Sequence, residues 1–389
     1  MTVDPSGSTG PGWLRAEDVS VDDLAAICEE GTDRAHYPHA SNVARGVLIY
    51  DMPSLNVEDP TSRQSVEEEM GRALRDGPGV IVLTGGFSDP GVVDAATQAF
   101  ERIIEQEREA GGESGDHFGK PGANARIWNA QEKLARFAPD VFAAYFATDA
   151  IALGAHAWLG PAYQMTSQVN LVYPGGAAQL PHRDYHLGFQ SDEVASAYPA
   201  HVHAMSTMLT LQGAVAHGDM PVDSGTTMLL PHSQKYALGY VAYRRPDVQE
   251  YFERSMIQLP LTKGDIVYFN PALLHGAGTN RTSDVNRMAN LLQVSSAFGR
   301  AMESLDREAM CASVYPALLS GAWTPGEAEN IIASCAEGYP FPTNLDRDQP
   351  VGGLAPASQA DVMRDALAAR IPTSELVQLL SERREAARP

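Results

Sequence analysis

LPHRDYHLGF, residues 180–189, sets His182 two positions before Asp184. On an extended strand that spacing sends both side chains out of one face, roughly 6–7 Å apart along the chain, so an imidazole and a carboxylate can converge on one ion. Non-haem Fe(II) sites with an open face combine two imidazoles with one carboxylate. The second imidazole must come from elsewhere, and the candidate is His275 in FNPALLHGAGTNRTSDVNR, just after the apolar run DIVYF at residues 265–269. Arg287, twelve residues beyond His275, is a planar fork suited to a carboxylate. Arg281, six residues beyond His275, is its rival, but it lies in the turn TNRTSD, where a guanidinium is ordinarily solvated.

Other residues follow from the same parity. Arg183 alternates away from the ligands and is expected to point outward, whereas His186 shares their face if the strand persists. His201, His203, His217 and His232 read as solvent or turn histidines. Upstream, Gln164, Thr166, Gln168 and Asn170 alternate with Met165, Val169 and Leu171, the two-residue period of a strand with one polar face. Gln168 and Asn170 are therefore candidates to touch a co-substrate or substrate. Further strands are expected at 205–213, 226–230, 256–259, 266–269 and 288–295. Short strands punctuated by Gly and Pro suggest an antiparallel sandwich or jelly roll.

Toward the N-terminus, residues 1–12 are Ser/Gly/Pro-rich and read as a mobile tail. A helix is expected from Ala16, short strands at 46–50 and 79–84, a helix over 65–76 capped by Ser65, and a long helix from Pro90 to about Ala110. GGESGDHFGKPGANAR, from Gly111, reads as a connection lining the site mouth; Pro121 after Lys120 excludes a phosphate loop. Residues 138–160 are Ala-rich and helical, with His156 and Trp158 as packing residues. After Gly299 come three or four amphipathic helical pieces, read as an added cap or a homodimer face. The expected organisation is thus a tail (1–12), a helical and mixed part (13–160), a barrel core (161–299) and a helical extension (300–389), all in one integrated domain.

The 389 residues carry a formal charge of −21, from 28 basic and 49 acidic side chains. That balance argues against a nucleic-acid or anionic-membrane partner, both of which need clustered Lys and Arg. Hydrophobic residues make up 44%, enough for a substantial core, and no run reaches the length of a membrane span. Three cysteines, Cys28, Cys311 and Cys335, are too few for a disulfide scaffold and point to a reduced, cytoplasmic setting.

Three segments in order carry a resemblance: YPGGAAQLPHRD (173–184), SGTTMLLPHSQK (224–235) and KGDIVYFNPALLHGAGTNRTSDVNR (263–287). Over about residues 168–293 the chain resembles the phytanoyl-CoA dioxygenase family of Fe(II)/2-oxoglutarate-dependent oxygenases. The resemblance implies a fold that is mainly β with added helices (α+β): a double-stranded β-helix (jelly-roll, cupin-like) core with helical N-terminal and C-terminal extensions. It also implies that His182, Asp184 and His275 hold Fe(II), that Arg287 receives the distal carboxylate of 2-oxoglutarate, and that O2 is consumed with release of succinate and CO2. Thr210 and Gln212 become candidates to touch a co-substrate or substrate only through this resemblance, which implies a strand crossing the pocket there. Many members place this Arg about eleven residues after the distal His; the extra residue here is absorbed if the connecting turn is longer. Related halogenases carry a small residue at the Asp184 position, so hydroxylation of a small organic or natural-product substrate leads. The competing readings are a metal-binding cupin-like barrel without oxidative activity, which has no use for a carboxylate fork, and a catalytically silent binding protein, which has no need of all three ligands.

Overall fold

The computed structural model describes residues 12–111 and 124–389; the expected N-terminal tail before Gly12 and most of the connection after Gly111 lie outside them. Ten strands occur among the described residues: β1 (Asn42–Ala44), β2 (Val47–Asp51), β3 (Val80–Thr84), β4 (Asn124–Ile127), β5 (Gln164–Val172), β6 (Thr210–Ala216), β7 (Met228–Leu229), β8 (Ile266–Phe269), β9 (His275–Gly276) and β10 (Arg287–Ser295). Eight form one sheet in the order β1-β2-β3-β8-β6-β10-β5-β4, antiparallel except between β2 and β3. Opposite lies a narrow second layer, in which β7 pairs with β9 and single bridges add His182 beside His275 and Ile257 beside Leu229. From β5 onward the chain passes back and forth between these layers, with β6, β8 and β10 returning to the large sheet, and this alternation makes the jelly roll.

The two-residue period explains how the sheet is buried on both sides. Met165, Val169, Leu211, Val215, Tyr268, Met288 and Leu292 leave the outer face and join the main core with the helices Pro60–Arg75, Pro90–Glu109, Pro139–Phe146 and Asp149–Leu159. Ala214, Val267 and Phe269 leave the inner face and pack with Leu229, Leu259 and Leu273. Residues after the last strand feed the same outer core: Met310, Val314 and Tyr315 of Arg307–Ser320, Ile331 of Pro325–Cys335, Met363 of Gln359–Ala369, and Leu376 and Leu380 of Thr373–Ala386.

Several expected boundaries move. The strand expected at 205–213 begins at Thr210, because Ala200–Met208 is a helix entered from the extended Pro199. The helix expected from Ser65 starts five residues earlier, at Pro60. Asp59 caps it by accepting from the Ser62 N–H, and a proline at the first helical position costs no hydrogen bond. Ser65 instead bonds His39 Nε2. The candidate at 256–259 contributes only the bridge at Ile257.

His217, expected at the surface or in a turn, is buried behind the large sheet. Thr97 Oγ1 donates to Val93 O (2.8 Å), so His217 Nδ1 must donate to Thr97 Oγ1 (2.8 Å) and its Nε2 accept from the Tyr145 hydroxyl (2.9 Å). Asn290 Nδ2 in turn donates to Tyr145 Oη (3.3 Å). Burial pushes this imidazole down to about 3. Between about 6.5, where an unfolded histidine titrates, and 3, the unfolded chain binds a proton that the folded chain refuses. Stability contributed by the neutral ring is therefore complete above 6.5 and falls with pH by up to about 1.4 kcal/mol per unit. Urea midpoints compared at mildly acidic and neutral pH should show a shallower loss for His217→Asn than for the unsubstituted protein; equal slopes would show that His217 does not titrate as described.

Candidate metal centre

The two imidazoles meet through the backbone. The His182 N–H donates to His275 O (2.9 Å) and the His275 N–H to His182 O (3.1 Å), which places the ring centroids 4.5 Å apart. Asp184 is fixed one step along by its N–H on Pro271 O (3.0 Å). Its Oδ1 lies 3.5 Å from His182 Nε2 and its Oδ2 3.5 Å from His275 Nε2. The ligand atoms of all three lie within 4.8 Å of one another, and among the described residues no other His, Cys, Asp or Glu group is so arranged.

Orientation of each ring comes from its own chain. His182 Nδ1 lies 2.8 Å from Leu180 O and His275 Nδ1 2.8 Å from Leu273 O. A carbonyl only accepts, so both Nδ1 carry the proton and both Nε2 present lone pairs toward Asp184. Burial raises the Asp184 carboxyl, but the neighbouring His275 and His182 and the Gln212 amide outweigh it and hold the group well below the usual carboxylate range. Burial and the neighbouring His275 lower His182. Neutral imidazoles and an ionised carboxylate are the protonation states a divalent cation requires.

Arg183 differs from its expectation. Parity does send it away from the ligands, but that side is covered by residues 233–239 and the side chain is 1% exposed. Its Nη2 donates to Ser233 O (2.5 Å) and Tyr236 O (3.0 Å), and the guanidinium lies over Tyr240. A Cβ on Gly239 would stand 1.7 Å from Arg183 Cζ, so only glycine fits there. His186 does not keep the ligand parity. Tyr185 (φ 63°) and His186 (φ 36°) turn the chain into the short helix His186–Phe189, and His186 Nδ1 pairs with Ser206 Oγ (3.0 Å). His203 and His232 are buried as well, His232 in a turn at φ 70°.

Behind the cluster opens a cavity of about 580 Å³, lined by the three ligands and by Arg287, Asn170 and Gln212 among others. Arg287 enters from the start of β10 and is 7% exposed. It has no ion-pair or hydrogen-bond partner among the described residues, and burial alone lowers it to about 10. The rival Arg281 is exposed, with its N–H on Asp223 O (2.7 Å). The structure does not bring Gln168 and Thr210 to the cavity. The Gln168 amide is engaged by Arg126 and by Glu303 Oε1 (3.3 Å), and Thr210, the first residue of β6, is buried where it pairs with Ser295 and is not part of the cavity lining. Sequence reasoning passed over Arg126, Met302 and Gln293, all of which line the cavity. Gln293 had a signal: it is a lone amide in the apolar strand LLQVS, at the parity of Arg287.

The sequence model of the phytanoyl-CoA dioxygenase family matches residues 76–289, more than half of the chain. The chain belongs to the phytanoyl-CoA dioxygenase family. Fe(II), 2-oxoglutarate and O2 are thereby its cofactor and co-substrates, and this phytanoyl-CoA dioxygenase family member is a 2-oxoglutarate-dependent non-haem iron enzyme. Among solved structures it is similar to HygX from Streptomyces hygroscopicus with nickel and 2-oxoglutarate bound (16% identity, 61% of this chain and 90% of that one, TM-score 0.41). It is also similar to the carbocyclase SnoK from nogalamycin biosynthesis (19% identity, 60% and 86%, TM-score 0.46) and to AviO1 from Streptomyces viridochromogenes (17% identity, 60% and 96%, TM-score 0.43). Comparison with the curated proteins gives no match.

Proposed function

We propose that His182, Asp184 and His275 hold the iron, that Arg287 binds the far carboxylate of 2-oxoglutarate, and that the enzyme hydroxylates a small organic substrate. The observation that carries this is Arg287: a guanidinium buried without an anionic partner among the described residues, in the same cavity as the metal-ligating cluster. A buried unpaired cation is costly, and a diacid spanning from the cluster to Arg287 relieves that cost through two parallel charge-assisted hydrogen bonds. A cupin-like barrel without oxidative activity has no use for such a fork.

The chemistry supplied when iron and 2-oxoglutarate are bound is oxidation of an unactivated C–H bond by O2, with succinate and CO2 as by-products. The protein's own residues fix where it happens. Leu180 O and Leu273 O lock the imidazole rings, Gln212 Nε2 holds Asp184 Oδ2, and the apolar inner face around Val267, Phe269 and Leu291 keeps water from the reacting centre. Related halogenases carry a small residue where this chain has Asp184, so the carboxylate favours hydroxylation. A cytoplasmic location accords with three unpaired thiols, and no described helix is long and apolar enough to cross a membrane.

The test is anaerobic addition of Fe(II) and 2-oxoglutarate to the folded protein. A weak visible charge-transfer band is expected, followed on admitting air by succinate release that increases with the true substrate. A folded protein that shows no band would refute the ligand and co-substrate assignment together.

A further inference from the structure

Arg287, Ala289, Leu291 and Gln293 share the inner face of β10 and line the cavity in that order. At about 3.3 Å per residue, Gln293 stands roughly 20 Å along the strand from Arg287. It is level with the metal-ligating cluster instead, because its partner across the sheet is Gln212, whose Nε2 donates to Asp184 Oδ2. A diacid running from Arg287 to the ligands ends there, so Gln293 belongs to the part of the cavity left for substrate. Apolar side chains mark that part. Trp128 follows Ile127, which pairs with Val169; Met302 Sδ lies 3.9 Å from Gln168 Nε2; and the Phe189 ring centroid is 6.2 Å from that of Tyr185. Arg126, the cation at this end, donates to Gln168 Oε1 and lies over the Trp128 ring.

The Gln293 amide has a fixed direction. Tyr185 is 3% exposed, and the hydrogen-bond partner of its hydroxyl is Gln293 Oε1. A buried phenol places its single proton on an acceptor, so this end of the amide is the oxygen and the other is the NH2 group. Nε2 has no hydrogen-bond partner among the described residues. Unlike Gln212 Oε1 and Asn170 Oδ1, it is not sealed from solvent, so it opens on the cavity as a donor held from behind.

We propose that the substrate is an uncharged, largely apolar molecule bearing an acceptor oxygen such as a carbonyl, and that Gln293 Nε2 donates to that oxygen and so sets which carbon faces the metal ligands. The inference rests on the function proposed above and specifies its substrate class. An ammonium group has no lone pair for this donor. A plain hydrocarbon displaces water from Nε2 and leaves it unpaired. Either mismatch weakens binding by about tenfold.

The test uses the full chain loaded with 2-oxoglutarate and with Zn(II) in place of iron, so that no turnover occurs. Three probes on one carbon skeleton are titrated by ligand-observed NMR: 1-indanone, which accepts; indane, which does neither; and 2-aminoindane, a cation that only donates. The ketone is expected to bind about tenfold more tightly than the other two. Gln293→Leu should remove its advantage over indane. Gln293→Glu keeps one oxygen for Tyr185 and turns the other to the cavity, so the order should reverse and 2-aminoindane should bind ahead of 1-indanone; this variant carries the test if the leucine variant does not fold. Equal binding of all three probes, no binding of any, or an advantage for 1-indanone that survives either substitution would overturn the proposal. Calorimetry of 2-oxoglutarate on the unsubstituted protein separates the two levels. Failure of 2-oxoglutarate to bind overturns the function itself, whereas its binding without probe preference overturns only the substrate class.

Discussion

Replacing Asp184 by alanine is expected to abolish substrate-dependent succinate release and to weaken iron binding by at least about a hundredfold, a loss beyond what outer partners of a metal site usually cause. Asp184 is the only anion in the cluster; without it two imidazoles 4.5 Å apart remain, oriented but uncharged. The fold should survive, because the backbone bonds that place this segment, His182 N–H to His275 O and Asp184 N–H to Pro271 O, do not involve the carboxylate. Metal titration and a turnover assay on the alanine variant, with circular dichroism as the control for folding, decide the matter. Full turnover in Asp184→Ala would show that the ligand set is wrong.

Arg287→Met should lower 2-oxoglutarate affinity by about two to four orders of magnitude, since two hydrogen bonds to a charged group, each worth about 1.5–3 kcal/mol, disappear. Arg281→Ala should change it by less than about twofold, because Arg281 is exposed and lies outside the cavity lining. The Arg287 variant carries a second signature. In the ligand-free protein its guanidinium is a buried charge without a counter-ion among the described residues, lowered to about 10 by burial alone. Substituting an apolar side chain of similar length should therefore raise the melting temperature of the ligand-free protein while removing the further rise that 2-oxoglutarate gives the unsubstituted one. Thermal melts with and without 2-oxoglutarate measure both effects. A loss of affinity in Arg281→Ala and not in Arg287→Met would reverse the assignment.

The site's spacing was legible because it depends on local periodicity. Two residues on an extended segment share a face whatever the rest of the chain does, and the polar stripe on β5 marks the barrel interior in the same way. Residues 266–269 form the expected strand because a short run of buried β-branched and aromatic residues has few other uses. What periodicity could not show is what covers a face. Arg183 does alternate away from the ligands, yet whether water or the turn at 233–239 lies there depends on residues fifty positions away. His217 belongs to a string joined through Thr97, Tyr145 and Asn290, none of them near it in sequence. The turn at Tyr185 and His186 is similarly invisible: non-glycine residues at positive φ carry no sequence mark, and only Gly188, whose Cβ would lie 2.0 Å from Arg183 O, hints at the fold-back. Pattern likewise could not separate Asn170 and Gln212, which reach the cavity, from Gln168 and Thr210 on the same stripes, because it does not say where a barrel ends.

The helices after Gly299 have one consequence for how this chain can be divided. Their apolar residues share one core with the outward row of β5, the strand whose inward row carries Asn170. Trimming the protein at its last strand would strip the backing from that strand and bare a greasy slab to solvent. The catalytic wall and its buttress are two sides of one partition, so a shortened version should be recovered as aggregate before any question of activity arises.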